Sequence, residues 1–285
     1  IMPEIPDLDA IVSYLRPRIV GATIERVSLP LGWMLRSTHP KPAEEALRGE
    51  TFQAIDRRGK HMLFLLREAT LVVHAMLVGR FYHVAPDQPF PRDMVLECVL
   101  SDGTALRYAD EKHMGRLYLI PDRHFASIPG YLDQGPDPLD PAFTFERFLE
   151  HLKGRYGEIK GLLTNAKVIA GIGNAYADEI LFEAGIYPFR KKKDLSTDEL
   201  RRVYDAISTV LTRAKATVAE RMGAQIHLKI RDFLLVHGKG EKACPRCGQR
   251  IATIGTWERA TNFCRQCQPG LMTETARQIP LNGIR

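Results

Sequence analysis

The chain has 285 residues, a hydrophobic fraction of 45% and a formal net charge of +6, with a pI of about 9.1. This length allows two or three domains with proper cores, and the hydrophobic fraction is ordinary for a soluble globular protein. The basic charge favours an anionic partner, with nucleic acid before a membrane surface. No apolar run approaches the roughly 18–20 residues that span a bilayer, and the acidic, proline-containing start is unlike a signal peptide. We therefore expect a bacterial-type cytoplasmic, nucleoid-associated protein without a membrane partner.

The first predicted element is a helix over residues 7–20, with Asp7 as its N-cap and an apolar stripe along one face. From about residue 22 to 120 the pattern changes to short apolar runs broken by Gly, Asp and Pro. These runs are typical of strands and predict a sandwich or barrel. The clearest of them are 62–66, 71–75, 95–100 and 117–120.

A proline-rich linker over 129–141 separates this β-rich part from a helical part. One helix is indicated by Phe145, Phe148 and Leu152 at helical spacing, and a later one by the capping box of Ser196 and Glu199. We predict an α+β multidomain protein. Its parts are an N-terminal β-sandwich with an N-terminal helix (1–135), a helical domain (136–238), a β-hairpin zinc finger (239–270) and a C-terminal tail (271–285).

Four cysteines near the C-terminal end carry the strongest signal. Cys244 and Cys247 form one CxxC pair, Cys264 and Cys267 form another, and the residues between the pairs are 248–263. This spacing is typical of a four-thiolate zinc site on two β-hairpin knuckles. Two disulfides are the alternative, which we set aside because Cys98 is the one other cysteine and nothing else resembles a secreted protein. We expect one structural Zn²⁺, since four thiolates leave no open position for catalysis.

Two shorter motifs allow more than one interpretation. Residues 171–174, Gly-Ile-Gly-Asn, lie between helical stretches, where backbone amides could hold a phosphate or simply form an interhelical turn. Arg57, Arg58 and Lys60 surround Gly59 just before a strong strand. By itself such a basic corner indicates a solvated turn more often than a site.

Taken in order along the chain, four segments resemble the formamidopyrimidine-DNA glycosylase/endonuclease VIII family of base-excision repair enzymes. The third segment is similar to the helix–two-turn–helix of that family, which would make 136–238 a DNA-binding domain. The segments are Met-Pro-Glu-Ile-Pro-Asp at 2–7, Arg-Arg-Gly-Lys at 57–60, the stretch 159–179 with Gly-Ile-Gly-Asn-Ala-Tyr-Ala-Asp-Glu at its end, and Arg-Ala-Thr-Asn-Phe-Cys at 259–264.

The resemblance implies a bifunctional DNA glycosylase/AP lyase that excises oxidised bases and cleaves the strand by β,δ-elimination. Pro3, once it is the first residue of the processed chain, would attack the sugar C1′ and form an imine. Glu4 would be the general acid/base. Lys60 would contact phosphate and assist β-elimination, and Arg259 would bind the flanking phosphate and assist δ-elimination. Asn174 would contact the DNA backbone. The alternative is a damage-binding or monofunctional protein on the same scaffold, without lyase activity.

The same resemblance predicts residues that contact DNA around an extruded base. Leu77, Lys112 and Met114 match the positions that fill the gap in the duplex, where the family usually has Met, Arg and Phe. His74 and Arg155 are further expected DNA contacts. The segment 223–233 also departs from the usual Gly-Gly-Thr-Thr run of the family. The expected partner is double-stranded DNA with damaged bases, either 8-oxoguanine and formamidopyrimidines or oxidised pyrimidines, or with abasic sites, bound by a monomer.

Overall fold

The computed structural model describes residues 2–256 and 259–270. Within this part of the chain, no helix is both long enough and apolar enough to cross a membrane. The helices are α1 (Ile5–Ile19), α2 (Ala43–Leu47), α3 (Phe145–Leu152), α4 (Ile159–Leu163), α5 (Asn174–Ala184) and α6 (Thr197–Met222). The strands are β1 (Ile24–Ser28), β2 (Leu35–Ser37), β3 (Ala54–Arg58), β4 (His61–Leu65), β5 (Ala69–His74), β6 (Arg80–Val84), β7 (Met94–Leu100), β8 (Ala105–Ala109), β9 (Arg116–Pro121), β10 (Ile251–Ile254) and β11 (Thr261–Cys264).

The N-terminal part is a sandwich of two sheets. One sheet has the order β1-β7-β8-β6 and is antiparallel throughout; the other has the order β2-β9-β5-β4-β3, with a single parallel pair between β2 and β9. Side chains from both sheets, such as Phe64 and Leu106, share one buried core with the apolar face of α1. The four apolar runs are β4, β5, β7 and β9, so the predicted β-sandwich with an N-terminal helix is confirmed.

Helix α1 begins earlier than the sequence predicted. Its N-cap is Glu4, not Asp7, and the Asp7 carboxylate accepts the Glu4 backbone N–H at 2.8 Å from inside the first turn. Pro6 favours this early start because proline at the beginning of a helix has no N–H to leave unpaired. Glu4 is therefore held at the N-terminus of α1.

The helical part packs α3, α4, α5 and α6 around a second core. The capping box at the start of α6 is confirmed: the Ser196 hydroxyl accepts the Glu199 N–H, and the Glu199 carboxylate accepts the Ser196 N–H. Near its end α6 also contributes Val218 and Met222 to the core of the sandwich. Helix α6 therefore joins the two parts. Where they meet, the start of α1 lies against the start of α5.

The zinc-finger hairpin of β10 and β11 packs against the far end of α5. Phe263 on β11 contacts the rings of Tyr187 and Phe189. Arg246 donates to the Phe182 carbonyl oxygen at 2.7 Å and to the Glu183 carboxylate at 2.8 Å. The predicted α+β architecture with a C-terminal hairpin is confirmed, and the finger is fixed to the helical part.

Candidate active site

The carboxylate of Glu4 lies in a cradle of backbone amides. It accepts N–H groups from Gly173 at 2.7 Å, from Ala175 at 3.0 Å and from Tyr176 at 3.3 Å. The side chain is 1% exposed. These amides belong to the Gly-Ile-Gly-Asn turn and the first residues of α5, where a helix N-terminus favours negative charge. The turn therefore does bind an anion, but the anion is the carboxylate of Glu4 rather than a phosphate.

Gly173 keeps Glu4 and Lys60 close together. A Cβ atom at Gly173 would lie 2.5 Å from the Glu4 Cδ and 2.8 Å from the Lys60 Nζ. Both charged groups therefore lie close to the Gly173 α-carbon. Any residue with a side chain at position 173 would displace them. The arrangement joins three distant segments: the start of α1, the β3–β4 turn and the start of α5.

The basic corner around Gly59 is not the solvated turn that the sequence predicted. The Arg57 guanidinium is largely buried and bridges Asp9 at 2.6 Å and Asp137 at 2.7 Å. Arg58 donates to the Gln134 carbonyl oxygen at 3.1 Å. These contacts tie the β3–β4 turn to α1 and to the linker. They hold the turn in the position from which Lys60 reaches the main cavity.

The main cavity, as we call it, has a volume of about 810 Å³ and lies between the sandwich, the start of α5 and the zinc-finger hairpin. It brings together most of the predicted site, including three cationic side chains, which suits a polyanion. Its lining comprises Met2, Glu4, Lys60, Leu77, Lys112, Asn174, His237, Gly238, Gly240, Thr253, Gly255, Arg259, Ala260 and Asn262. Pro3, Met114, His74 and Arg155 are not part of this lining.

Leu77 and Lys112 are carried by two loops that pack on one buried tyrosine. A Cβ at Gly79 would lie 2.1 Å from the Tyr108 hydroxyl oxygen, and one at Gly115 would lie 2.2 Å from it. Only glycine allows both loops to approach Tyr108 this closely. Sequence patterns could not predict this arrangement, because Gly79, Tyr108 and Gly115 do not belong to one short motif and meet only in the folded protein.

In each of these loops a residue other than glycine has a left-handed backbone. Met76, directly before Leu77, has a φ of 46°, and His113, directly before Met114, has a φ of 52°. This conformation is uncommon for such side chains and strains the backbone. Met114 is 41% exposed, so its side chain is available at the surface beside Lys112.

His74 lies at the end of β5, against the ring of His61 at a centroid distance of 4.8 Å. Burial is the main cause that lowers the pKa of His74 to about 3, and repulsion from His61 and from the Lys60 ammonium lowers it further. Its Nδ1 accepts the Met76 N–H at 3.2 Å, which leaves the proton on Nε2. His74 is therefore a neutral N–H donor near neutral pH and supplies no positive charge.

Asp178 connects α4, α5 and the zinc-finger hairpin. Its carboxylate contacts the Lys160 Nζ at 2.7 Å and the His237 Nδ1 at 2.7 Å, and it accepts the Asn262 backbone N–H at 3.0 Å. Lys160 also donates to the Thr261 hydroxyl at 2.7 Å. This buried network fixes the hairpin beside Asn174, whose side-chain amide donates to the Ala260 carbonyl oxygen at 2.8 Å.

Pro3 lines a separate, smaller cavity, which we call the Pro3 cavity. Its volume is about 10 Å³, so it is almost filled. The Asp7 carboxylate at its edge pairs with Arg231, which also donates to the Tyr176 hydroxyl at 2.8 Å. The lining comprises Pro3, Asp7, Leu8, Ile11, Ala75, Gly79, Arg80, Phe81, Met222, Ile226, Leu228 and Lys229.

Comparison with known proteins covers nearly the whole chain. The family model for the formamidopyrimidine-DNA glycosylase N-terminal domain matches residues 2–117, and that for the H2TH domain matches residues 134–225. The model described as the zinc finger found in FPG and IleRS matches residues 241–270. A formamidopyrimidine-DNA glycosylase from Symbiobacterium thermophilum is 38% identical over 279 residues, covering 94% of this chain and 90% of the relative.

The chain belongs to the formamidopyrimidine-DNA glycosylase family.

Solved structures of the Lactococcus lactis member of this family have the same fold. Its complex with DNA containing an abasic site is 28% identical, with a TM-score of 0.82, and covers 94% of this chain and all of that one. Its complex with DNA containing an oxidised pyrimidine is 29% identical, with a TM-score of 0.83 and the same coverage. The resemblance inferred from four short segments is confirmed, and the family makes the chain a DNA-binding glycosylase of DNA repair.

The four cysteines fit the metal that the family's zinc finger implies. Their sulfur atoms all lie within 4.8 Å of one another. The sulfurs of Cys244 and Cys267 are 3.8 Å apart, and those of Cys247 and Cys264 are 3.4 Å apart. Four thiolates at about 2.3 Å from one tetrahedral ion have separations of this size. The predicted ligand set is therefore brought together as a candidate metal centre.

Arg155 is a predicted DNA contact that lies outside this arrangement. It occupies an exposed loop between α3 and α4 and lines neither cavity. Arg259 lies on the exposed tip of the finger and lines the main cavity. The sequence motifs contained Gly173 and Asp178 but did not reveal their contacts with Glu4, Lys60 and the zinc-finger hairpin, because these contacts join segments that are far apart in the chain.

Proposed function

We propose that this family member is a bifunctional DNA glycosylase/AP lyase, which removes oxidised bases and then cleaves the strand. One observation carries the proposal. The Glu4 carboxylate, held by three backbone amides next to Pro3, faces the Lys60 ammonium at a cavity that Arg259 and Lys112 also line. An amine, a fixed acid/base and cations for phosphate are the groups that such a reaction requires.

In the proposed first step, the free amine of Pro3 attacks C1′ of the damaged nucleotide. The C1′–N glycosidic bond breaks, and the base leaves with the bonding electrons and takes a proton from water. The Glu4 carboxylate accepts the proton that the Pro3 nitrogen loses and passes it to the ring oxygen, so the sugar ring opens as the iminium forms and the carboxylate is regenerated. Support comes from the rigid position of Glu4, since a fixed geometry of the acid and the nucleophile avoids an entropic cost during reaction.

In the later steps, the iminium makes the C2′ proton acidic. Loss of this proton expels the 3′ phosphate, and a second elimination expels the 5′ phosphate. Lys60 and Arg259 would stabilise the departing phosphates, because cations aimed at developing negative charge lower such barriers. Both Lys60 and Arg259 line the main cavity, which supports these roles.

The proposed substrate is duplex DNA that contains an oxidised base or an abasic site. Structures of the Lactococcus lactis relative contain it bound to DNA with an abasic site and to DNA with an oxidised pyrimidine. Leu77, Lys112 and Met114 would fill the gap left by the extruded base, two of them as apolar wedges. His74 would donate a neutral hydrogen bond to the backbone, and Asn174 and Arg155 would bind phosphates.

We further propose that the metal is one structural Zn²⁺. Four thiolates suit zinc and leave no position for a substrate, so the ion would stabilise the hairpin that carries Arg259. Cys244, Cys247, Cys264 and Cys267 would hold it. No step of the proposed chemistry passes through the metal.

The test uses protein that begins at Pro3 and duplex DNA with a single abasic site. Pro3→Gly and Glu4→Gln should each abolish strand nicking while DNA binding survives. Glu45→Gln, on the exposed face of α2, is the matched control and should nick normally. Normal nicking by both active-site variants would show that the assignment is wrong.

A second control uses the same enzyme with its amine blocked. Protein that retains Ile1 and Met2 has the Pro3 nitrogen in a peptide bond and cannot form an iminium. It should bind abasic DNA without cleaving it. The alternative function, damage binding or base removal without lyase activity, would instead give no nicking from the Pro3-start protein as well.

A further inference from the structure

His237 has a fixed position at the edge of the main cavity. Its Nδ1 lies 2.7 Å from the Asp178 carboxylate, and its backbone N–H donates to the Glu179 carboxylate at 2.8 Å. Glu179 also accepts the backbone N–H groups of Leu235 at 2.9 Å and of Val236 at 2.8 Å. Two adjacent carboxylates of α5 therefore hold the ring and the backbone of His237 separately.

Asp178 determines which nitrogen of this imidazole carries a proton. Asp178 is fully buried and its carboxylate can only accept, so the His237 Nδ1 donates to it. The His237 side chain is 8% exposed and lines the main cavity, and because Nδ1 faces Asp178, the ring edge at the cavity carries Nε2. Within residues 2–256 and 259–270, no group is hydrogen-bonded to this Nε2. The neutral ring therefore presents a lone pair to the cavity.

The later steps of the proposed function require a base for the C2′ proton. The cations of Lys60, Lys112 and Arg259 have no lone pair to offer. Among the described residues that line the main cavity, Glu4 and His237 are therefore the two whose side chains can accept a proton. The Glu4 carboxylate already accepts three backbone N–H groups and transfers the first proton, whereas the His237 Nε2 has no partner in the described part of the chain.

We propose that His237 is a catalytic residue that removes the C2′ proton in the first elimination. Nε2 takes the proton, and the electrons of the C2′–H bond form the C1′=C2′ bond of an enamine. The nitrogen lone pair then re-forms the iminium, the C1′=C2′ electrons move to C2′=C3′, and the 3′ phosphate leaves with the electrons of the C3′–O bond. The Asp178 carboxylate stabilises the imidazolium, which passes its proton to water. This inference rests on the proposed lyase function and adds its base.

The test separates formation of the imine from elimination. Protein that begins at Pro3 is mixed with duplex DNA containing one natural abasic site, and the borohydride-trapped adduct and the cleaved strand are followed with time. His237→Asn keeps a donor for Asp178 and removes Nε2, so the adduct should form at the normal rate while cleavage falls about 10²- to 10⁴-fold. His124→Asn, at an exposed histidine outside the main cavity, is the matched control and should change neither rate.

Addition of free imidazole provides a second measurement. In His237→Ala the ring is replaced by open space at the edge of the cavity, so a free imidazole can enter and accept the same proton. Cleavage by this variant should therefore rise with imidazole concentration, while cleavage by the unsubstituted protein should not. A merely structural role of His237 would give no such increase, and its absence would count against the inference.

A phosphate contact without proton transfer is the alternative role, and His237→Gln distinguishes it. Glutamine places an amide donor close to the position of Nε2, but this amide cannot take up a proton as imidazole does. We expect His237→Gln to cleave as slowly as His237→Asn, and deuterium at C2′ to slow it more than it slows the unsubstituted protein. Normal cleavage by His237→Gln would overturn the inference, as would an equal loss of adduct and cleavage in every variant.

Thermal unfolding shows which of these variants fold, and the same results apply to those that do. Normal adduct formation together with normal cleavage in His237→Asn would overturn the inference alone and leave the lyase function standing. If the unsubstituted protein forms neither adduct nor cleaved strand, the proposed lyase function fails and the role of His237 as its base fails with it.

Discussion

Replacing Gly173 with alanine tests whether the Glu4–Lys60 arrangement is the reacting centre. Gly173 has a φ of −122°, which alanine adopts without strain, so the backbone itself does not oppose the change. The new Cβ would lie 2.5 Å from the Glu4 Cδ and 2.8 Å from the Lys60 Nζ. Carbon atoms in contact are normally about 3.5–4.0 Å apart, so the carboxylate must shift by about 1 Å.

Two effects of different size follow from this shift. A misplacement of about 1 Å at a reacting group costs on the order of 10²-fold in rate. If the shift also breaks one amide hydrogen bond to the Glu4 carboxylate, the free energy of unfolding falls by about 1.5–3 kcal/mol. We therefore expect a protein that still folds and binds DNA at room temperature but cleaves slowly.

The assay is single-turnover cleavage of duplex DNA with one abasic site, together with DNA affinity and thermal unfolding. Gly161→Ala is the matched control: its Cβ would meet nothing within 4 Å, and it lies inside α4, where alanine favours the helix. The control should cleave at the unsubstituted rate. If Gly173→Ala also cleaves at that rate, cleavage does not require the position that the amide cradle gives the Glu4 carboxylate. That result would refute the assignment of this arrangement as the reacting centre.

Three further changes address the parts that support this centre. Asp178→Asn removes the anion paired with buried Lys160, so denaturant unfolding should show a loss of about 3–5 kcal/mol, and an unchanged unfolding midpoint would contradict the role of this network. Arg259→Ala should weaken DNA binding and reduce the slope of log affinity against log salt by about 0.9 if one phosphate contact is lost. Arg250→Ala, an exposed arginine of the same finger paired with Glu241, is its control and should leave that slope unchanged. Removing the metal by chelation should lower DNA affinity more than it changes the unfolding of the sandwich; equal effects on both would show that the finger is not a separate support.

Local patterns predicted those features that depend on residues close together in the sequence. The CxxC spacing predicted the ligand cluster, the Ser196–Glu199 box predicted the start of α6, and the apolar runs predicted four strands of the sandwich. In each case one short segment contains the whole physical cause. The start of α1 was misjudged because Asp7 and Glu4 both suit a cap, and only the contact between them distinguishes the two.

The contacts that build the site could not be predicted in the same way. The Glu4 carboxylate accepts hydrogen bonds from amides about 170 residues away in the sequence. Arg57 can be buried because Asp9 and Asp137, from two other segments, form ion pairs with its guanidinium. A basic, glycine-containing turn in isolation has no such partners and would be solvated. The family resemblance indicated which residues to examine, whereas the tertiary contacts explain why Lys60 and Glu4 face one another.

The most direct measurement of the central claim is borohydride trapping followed by peptide mapping. Protein that begins at Pro3 is incubated with abasic duplex DNA and reduced, and the cross-linked peptide is identified by mass spectrometry. We predict a covalent adduct on the nitrogen of Pro3 and no adduct from protein that retains Ile1 and Met2. An adduct on a lysine such as Lys60 or Lys229, or full cleavage by the blocked protein, would contradict the proposed mechanism.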